Sequence, residues 1–133
     1  MADFKKLHVW RKSHALALDT FKVCSRMQGF PDSLVRNQLL RSIVSVPANI
    51  AEGSAKQSDA DFARFLRIAL GSLTESEYHL VLASDLRLVP PEDARRLQLQ
   101  LVDVRKMLSG FVKTLRTGKT RAVRDGEQVA GSW

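Results

Sequence analysis

Hydrophobic residues recur along this chain at the spacing of an α-helix. The clearest case is the segment from residue 91 to 116, in which apolar residues follow one another at alternating intervals of three and four positions. They are Ala94, Leu97, Leu101, Val104, Leu108, Phe111 and Leu115. Because an α-helix turns once in about 3.6 residues, side chains at these intervals share one face. The pattern predicts an amphipathic helix over 91–116, with Pro91 in its first turn.

Three earlier segments show the same periodicity and predict helices over about 7–27, 33–53 and 58–87. The apolar stripe of the first segment is Trp10, His14, Ala17, Phe21 and Cys24, widened by Leu16, Val23 and Met27. That of the second is Leu39, Ile43, Val46 and Ile50. That of the third is Phe62, Phe65, Leu66, Ala69, Leu73 and Leu80. Glycine and proline residues separate the segments, and none has the alternating pattern of a β-strand. The whole pattern therefore favours an all-α chain.

Four amphipathic helices with short connections are typical of an antiparallel up-down four-helix bundle. We expect residues 1–116 to form this bundle and residues 117–133 to form a flexible C-terminal tail. Some apolar residues lie outside the main stripes, which indicates a second buried surface, against another subunit. These residues are Ile68, Leu70, Val81, Leu82, Leu99 and Val102.

The second predicted helix also carries a polar stripe, composed of Gln38, Arg41, Ser45, Asn49 and Glu52. A solvated face is one interpretation. Serine and asparagine are poor residues for a helix interior. We therefore favour the other interpretation, a network between the second and third helices whose polar groups bond one another and which includes Ser72 and Glu75.

Two residues within the predicted helices are unfavourable in a helix interior and therefore predict a local structural feature. Pro47 predicts either a kink or a break and restart of the second helix. Gly71 predicts a close backbone approach in the third, since glycine destabilises a helix interior by about 1 kcal/mol relative to alanine.

Composition narrows the class of protein. The chain has 133 residues, 44% of them hydrophobic, and one cysteine. It is long enough to form a core, too hydrophobic to be mostly disordered, and has no intrachain disulfide. No apolar run is long enough for a membrane span, and no signal peptide is evident. We expect a soluble cytoplasmic protein without a membrane partner.

The formal net charge is +7. Residues 1–27 contain six basic and two acidic residues, and residues 90–116 contain six basic and three acidic ones, so the excess lies on the first and fourth helices. Those helices are neighbours in an up-down bundle, which predicts one positive side able to bind RNA or DNA. Its candidates are Lys5, Lys6, Arg11, Lys12, Lys22, Arg26, Arg95, Arg96, Arg105, Lys106 and Lys113. An ordinary soluble surface is the alternative.

The sequence contains little that indicates a catalytic or metal-binding site. A di-iron bundle needs Glu-x-x-His pairs, which are absent, and the cysteine and histidines lack zinc-site spacing. Cys24 lies among apolar residues and indicates an inert thiol, while His14 indicates a packed core or interface histidine. No phosphate-binding glycine loop occurs. We expect no catalytic residue, no metal and no cofactor.

Three motifs carry a family resemblance. They are Leu7-His8-Val9-Trp10-Arg11-Lys12, the run from Gln38 to Gly53 ending in Asn49-Ile50-Ala51-Glu52-Gly53, and Phe65-Leu66-Arg67-Ile68-Ala69-Leu70-Gly71-Ser72-Leu73-Thr74-Glu75. The chain resembles the four-helix-bundle proteins encoded in intervening sequences of the 23S rRNA gene (ribosomal protein S23-like). It is also similar to accessory proteins of diversity-generating retroelements. One departure is Leu40, where the family often has a basic residue.

The resemblance implies an antiparallel bundle that assembles as a homopentameric ring, and it implies no established enzymatic activity. Together with the charge, it favours a non-enzymatic basic oligomer that binds nucleic acid or a nucleic-acid-processing protein. The alternative is a structural scaffold or adaptor for a protein partner, whose charge serves solubility.

Overall fold

A computed structural model describes residues 3–118. It contains a short 3₁₀ helix, Phe4–Lys6, and four α-helices: α1 (His8–Cys24), α2 (Asp32–Ser54), α3 (Asp59–Asp85) and α4 (Pro91–Arg116). No residue between 3 and 118 belongs to a β-strand. The chain is therefore all-α in the part described, and the predicted tail lies outside the described residues from 119 onward.

The helix ends follow local sequence chemistry. The Ser58 hydroxyl accepts a hydrogen bond of 3.1 Å from the Asp61 backbone N–H and so caps the start of α3. At the other end of α3, Arg87 has a positive φ of 60°, and the Leu88 N–H bonds the Ala83 carbonyl at 2.9 Å. This is a Schellman motif, which places Arg87 where glycine is preferred. Pro91 occupies the first turn of α4.

Each helix packs on its sequence neighbours, and α1 also packs on α4. Contacts between α2 and α3 join Ser45 to Ser72 and Ser42 to Ser76. Between α1 and α4, Asp19 contacts Arg96 and Gln100. One continuous core lies between the helices, and the predicted stripes of α2, α3 and α4 are all buried in it.

The predicted stripe of α1 is wrong in part. His14 is exposed, and the Phe21 side chain is 48% exposed. The buried side of α1 carries the unpredicted Ser13 and Thr20 next to the predicted Leu16. Its two hydroxyls bond backbone carbonyls of the preceding turn, Ser13 to Trp10 at 2.9 Å and Thr20 to Leu16 at 2.7 Å, so these polar residues are satisfied inside the core.

The structure also bears on two expectations about helix interiors. α2 is a single helix through the buried Pro47, which excludes the break and restart, and the kink stays a prediction. The close approach expected at Gly71 is wrong. No neighbouring atom lies within 4 Å of where a Cβ on Gly71 would be, whereas a Cβ on Gly53 would lie 2.7 Å from the Phe65 Cβ. The close approach of α2 and α3 is therefore at Gly53.

Candidate nucleic-acid interface

The predicted cations lie on the 3₁₀ helix, on α1, at Arg26 just after α1, and on α4, and we call this set the basic face. Arg95 lines a cleft with Val81 of α3, so it lies on the α3 side of α4. All the predicted cations are exposed except Arg105, which is half-buried. The set comprises Lys5, Lys6, Arg11, Lys12, Lys22, Arg26, Arg95, Arg96, Arg105, Lys106 and Lys113. Because α1 packs on α4, cations from both helices can reach one surface. A cleft of about 310 Å³ between these helices places Lys12 near Lys106, with His8 and Asp103 also in its lining.

Two of the predicted cations are held by carboxylates. The Arg96 guanidinium donates to both Asp19 oxygens at 2.9 Å and to Asp93 at 2.7 Å. The bonds from Arg96 to Asp19, with one from Gln100, hold the pKa of Asp19 below its usual value against the opposing effect of burial. Arg105 donates to Glu77 at 2.8 Å and to the Thr74 hydroxyl at 3.1 Å. Arg96 and Arg105 thus fix α4 to its neighbours and present less free charge than the prediction assumed.

Sequence reasoning missed Arg87. This residue follows α3, yet it lines a cleft of about 550 Å³ together with Arg26, which follows α1, and the Pro90–Pro91 pair. Its segment has no basic excess, so the partition of charge along the chain gave no signal for it. Arg87 belongs to neither α1 nor α4, but it lies beside the basic face because it shares a cleft with Arg26.

The predicted polar network forms only in its central part. Ser45 Oγ lies 2.8 Å from Ser72 Oγ, and the Asn49 amide donates to the Ser45 carbonyl and hydroxyl at 2.8 and 2.9 Å. The sequence missed a second pair, Ser42 and Ser76, whose hydroxyls lie 2.8 Å apart and are buried. Helical spacing could have found it, since Ser42 precedes Ser45 by one turn and Ser76 follows Ser72 by one turn.

The outer members of that network lie apart from it. Arg41 and Glu52 are exposed, and neither side chain forms a hydrogen bond or an ion pair with another of residues 3–118. Gln38 is half-buried. Glu75 lies 3.3 Å from His79 of its own helix. Among residues 3–118, no hydrogen bond or ion pair joins Arg41, Asn49, Glu52 and Glu75 to one another.

A model of the family described as 23S rRNA-intervening sequence protein matches residues 5–110. This chain belongs to that family. A solved structure with 32% sequence identity and a TM-score of 0.68 comes from Bacteroides thetaiotaomicron VPI-5482 and covers 80% of this chain and 99% of its own. It is described as a protein of unknown function from the S23 ribosomal protein family. No curated protein matches the chain significantly.

The motifs that resemble the 23S rRNA-intervening sequence family have structural roles here. Leu7 and Val9 are fully buried, and Gly53 allows the contact with Phe65. Neither the family description nor that of the Bacteroides protein names an enzymatic reaction. Across residues 3–118, no three His, Cys, Asp or Glu side chains are grouped to hold a metal ion. Burial raises the pKa of the Cys24 thiol to about 11, which disfavours the reactive thiolate.

None of the helices between residues 3 and 118 has the combined length and apolarity needed to cross a bilayer.

Proposed function

We propose that this protein is a non-enzymatic, basic, homo-oligomeric bundle of the cytoplasm that binds RNA or DNA through the basic face. The observation that carries the proposal is a set of exposed cations that form no ion pair within residues 3–118. They are Lys5, Arg11, Lys12, Lys22, Arg26, Arg95, Lys106 and Lys113. Such cations release counterions when they contact phosphates, and this release is the main source of sequence-independent affinity for nucleic acids.

The proposed unit is an antiparallel up-down bundle, and contacting pairs support it. On α2 and α3, the lower-numbered Ser42 contacts the higher-numbered Ser76, while Ser45 contacts Ser72. On α1 and α4, Lys12 lies near Lys106 while Asp19 contacts Arg96. In both cases the numbers change in opposite directions along the two helices. The contact between α1 and α4 agrees with such a bundle, and the basic face requires it.

The proposed assembly is a homopentamer, the state that the family resemblance implies. Exposed apolar side chains on α3 and α4 support burial against another subunit. Val81 and Leu99 are 39% and 60% exposed, and both line a cleft of about 430 Å³. Five chains of +7 would carry about +35, which would attract phosphates over a larger distance than one chain does. Light scattering should give five times the chain mass, and Leu99→Arg should lower it.

The binding proposal is tested with RNA and DNA on protein of known oligomeric mass. We expect the affinity to fall at least tenfold between about 50 mM and about 200 mM salt. Lys12→Glu/Lys106→Glu should weaken binding more than Arg41→Glu/Arg67→Glu, which changes the net charge equally on α2 and α3. Equal losses from the two pairs would contradict the basic face, and negligible binding at both salt concentrations would overturn the proposed function.

A protein scaffold or adaptor is the second candidate, and the exposed apolar side chains of α3 and α4 favour it. Here the charge would serve solubility and Val81 and Leu99 would contact a different protein. A partner that co-purifies after nuclease treatment, and that Leu99→Arg releases, would support this candidate over the first.

A further inference from the structure

Three aromatic side chains are displayed along one side of α1, and we call Trp10, His14 and Phe21 the aromatic row. Trp10 is half-buried, whereas His14 and Phe21 are exposed. The spacings of four and seven residues keep all three near one line along the helix, over about 16 Å. Aromatic residues at a basic surface are a recurrent feature of proteins that bind unpaired bases.

The first two rings already form a stack. The Trp10 and His14 ring centroids are 4.7 Å apart with an angle of 13° between the planes. Phe4 of the 3₁₀ helix packs edge-on against Trp10, with centroids 4.9 Å apart. Trp10 thereby contacts both Phe4 and His14, and of the stacked pair it is His14 that is exposed. Stacked rings that neighbouring side chains contact can bind a further planar ring with little loss of side-chain entropy.

Cations accompany the row. Arg11 follows Trp10 and Lys22 follows Phe21, so each lies about 100° around the helix from its aromatic neighbour, and both are exposed. Neither forms an ion pair within residues 3–118; the Arg11 guanidinium donates at 3.4 Å to the Lys5 carbonyl. Aromatic faces with adjacent unpaired cations match the two parts of a nucleotide, its base and its phosphate.

We infer that the aromatic row binds single-stranded nucleic acid, with unpaired bases stacked on His14 and Phe21 and phosphates contacting Arg11 and Lys22. The inference rests on the proposed function and specifies its ligand. A duplex keeps its bases stacked on one another, so it can use the cations but not the rings. The aromatic row therefore gives single strands an additional contact that a duplex of equal length lacks.

The test uses full-length protein with Trp133→Phe, which leaves Trp10 as the one tryptophan of the two in the sequence. The probes are a deoxythymidine oligomer, a uridine oligomer and a DNA duplex, each of about 15 nucleotides or base pairs. We expect both single strands to quench Trp10 fluorescence and the duplex to leave it nearly unchanged. His14→Ala and Phe21→Ala should each weaken single-strand binding by roughly fivefold or more, the loss typical of one base–aromatic stack.

Two controls separate stacking from other effects. Tyr78→Leu removes an exposed aromatic ring from α3, and it should leave single-strand affinity unchanged. His14 and Phe21 are exposed, so their variants should remain folded even if Trp10→Leu does not. The salt dependence should persist in the ring variants, because their cations remain.

The outcomes distinguish this inference from the proposed function. If single strands and duplex bind equally, and the ring variants behave as Tyr78→Leu does, the aromatic row is not the site although the basic face still binds. Absence of binding by every probe would instead overturn the proposed function itself. If the ring variants change the oligomeric mass, the row is a subunit contact and the inference is wrong.

Discussion

Gly53 of α2 lies directly against Phe65 of α3. A Cβ atom added to Gly53 would be 2.7 Å from the Phe65 Cβ and 3.0 Å from the Phe62 Cδ1, closer than atoms of a packed core normally approach. The two helices come together here because one of them has no side chain. The last residue of the Asn49–Gly53 motif is thus explained by packing.

Gly53→Ala should lower the free energy of unfolding by about 1–3 kcal/mol, since α2 and α3 would have to separate or the phenylalanines leave their rotamers. Gly71→Ala is the matched control, because it adds the same methyl group at an exposed site of α3 with open space around it. It should raise stability by about 0.5–1 kcal/mol through helix propensity. Urea unfolding at one fixed protein concentration measures both, and a stabilising Gly53→Ala would show that the contact is not tight.

The buried serine pair between α2 and α3 can be tested by a double-mutant cycle. Ser76 Oγ lies 2.8 Å from Ser42 Oγ and also 2.8 Å from the Ser72 carbonyl oxygen. Either Ser42→Ala or Ser76→Ala leaves the other hydroxyl without this partner, whereas the double variant replaces both groups by apolar ones. We expect a coupling free energy of about 1 kcal/mol. Strict additivity of the two single changes would indicate that the pair contributes nothing as a pair.

Acid should weaken the bond between α1 and α4. The pKa of Asp19 is lowered by Arg96 and Gln100, so this carboxylate stabilises the fold above its unfolded pKa of about 3.9, and the contribution is lost as pH falls through the lower folded value. Asp19→Asn should therefore be less stable than the wild type by up to about 1 kcal/mol at neutral pH, since the pair is partly exposed. The two proteins should converge in stability in acid.

The control for this experiment is Asp103→Asn, which removes an exposed carboxylate of α4. It should change stability by less than about 0.5 kcal/mol at neutral pH. A stability difference between Asp19→Asn and wild type that stays constant on acidification would contradict the assignment.

Cys24 should behave as a protected thiol. It is 1% exposed, and burial raises its pKa to about 11. Because the folded pKa is above the unfolded one, the contribution of the neutral thiol to stability is complete below about pH 8.5 and is lost as pH rises toward 11. At about pH 8, a disulfide reagent should modify the native protein far more slowly than the denatured chain. Equally fast modification of both would show that α1 opens readily at this end.

The sequence predicted three of the four buried stripes because α2, α3 and α4 bury ordinary apolar residues. It was wrong in part on α1, because the core there accepts Ser13 and Thr20, whose hydroxyls bond their own helix, while His14 and Phe21 are exposed. No pattern of hydrophobicity records such internal hydrogen bonds.

The least predictable property of a residue was which side chains of other helices lie next to it. Gly53 and Gly71 are both helical glycines, and only the packed pair of helices distinguishes them. The carboxylates that bind Arg96 come from α1 and from its own helix. The net charge of each segment could not show that this cation forms ion pairs. The eleven predicted nucleic-acid contacts as a set stay a prediction.

The paired hydroxyls between α2 and α3 also determine which alignment of the two helices is possible. A leucine seam changes little when one helix slides by a turn of about 5.4 Å. Such a slip here would place Ser76 opposite Ser45 and bring Leu80 opposite the buried Ser42, or in the other direction bring Ile68 opposite Ser45. Either displacement separates a hydroxyl from its partner on the other helix, and the hydrogen bond between the two helices is lost. Two pairs of small polar side chains thereby give the observed alignment of α2 and α3 a lower energy than alignments shifted by one turn.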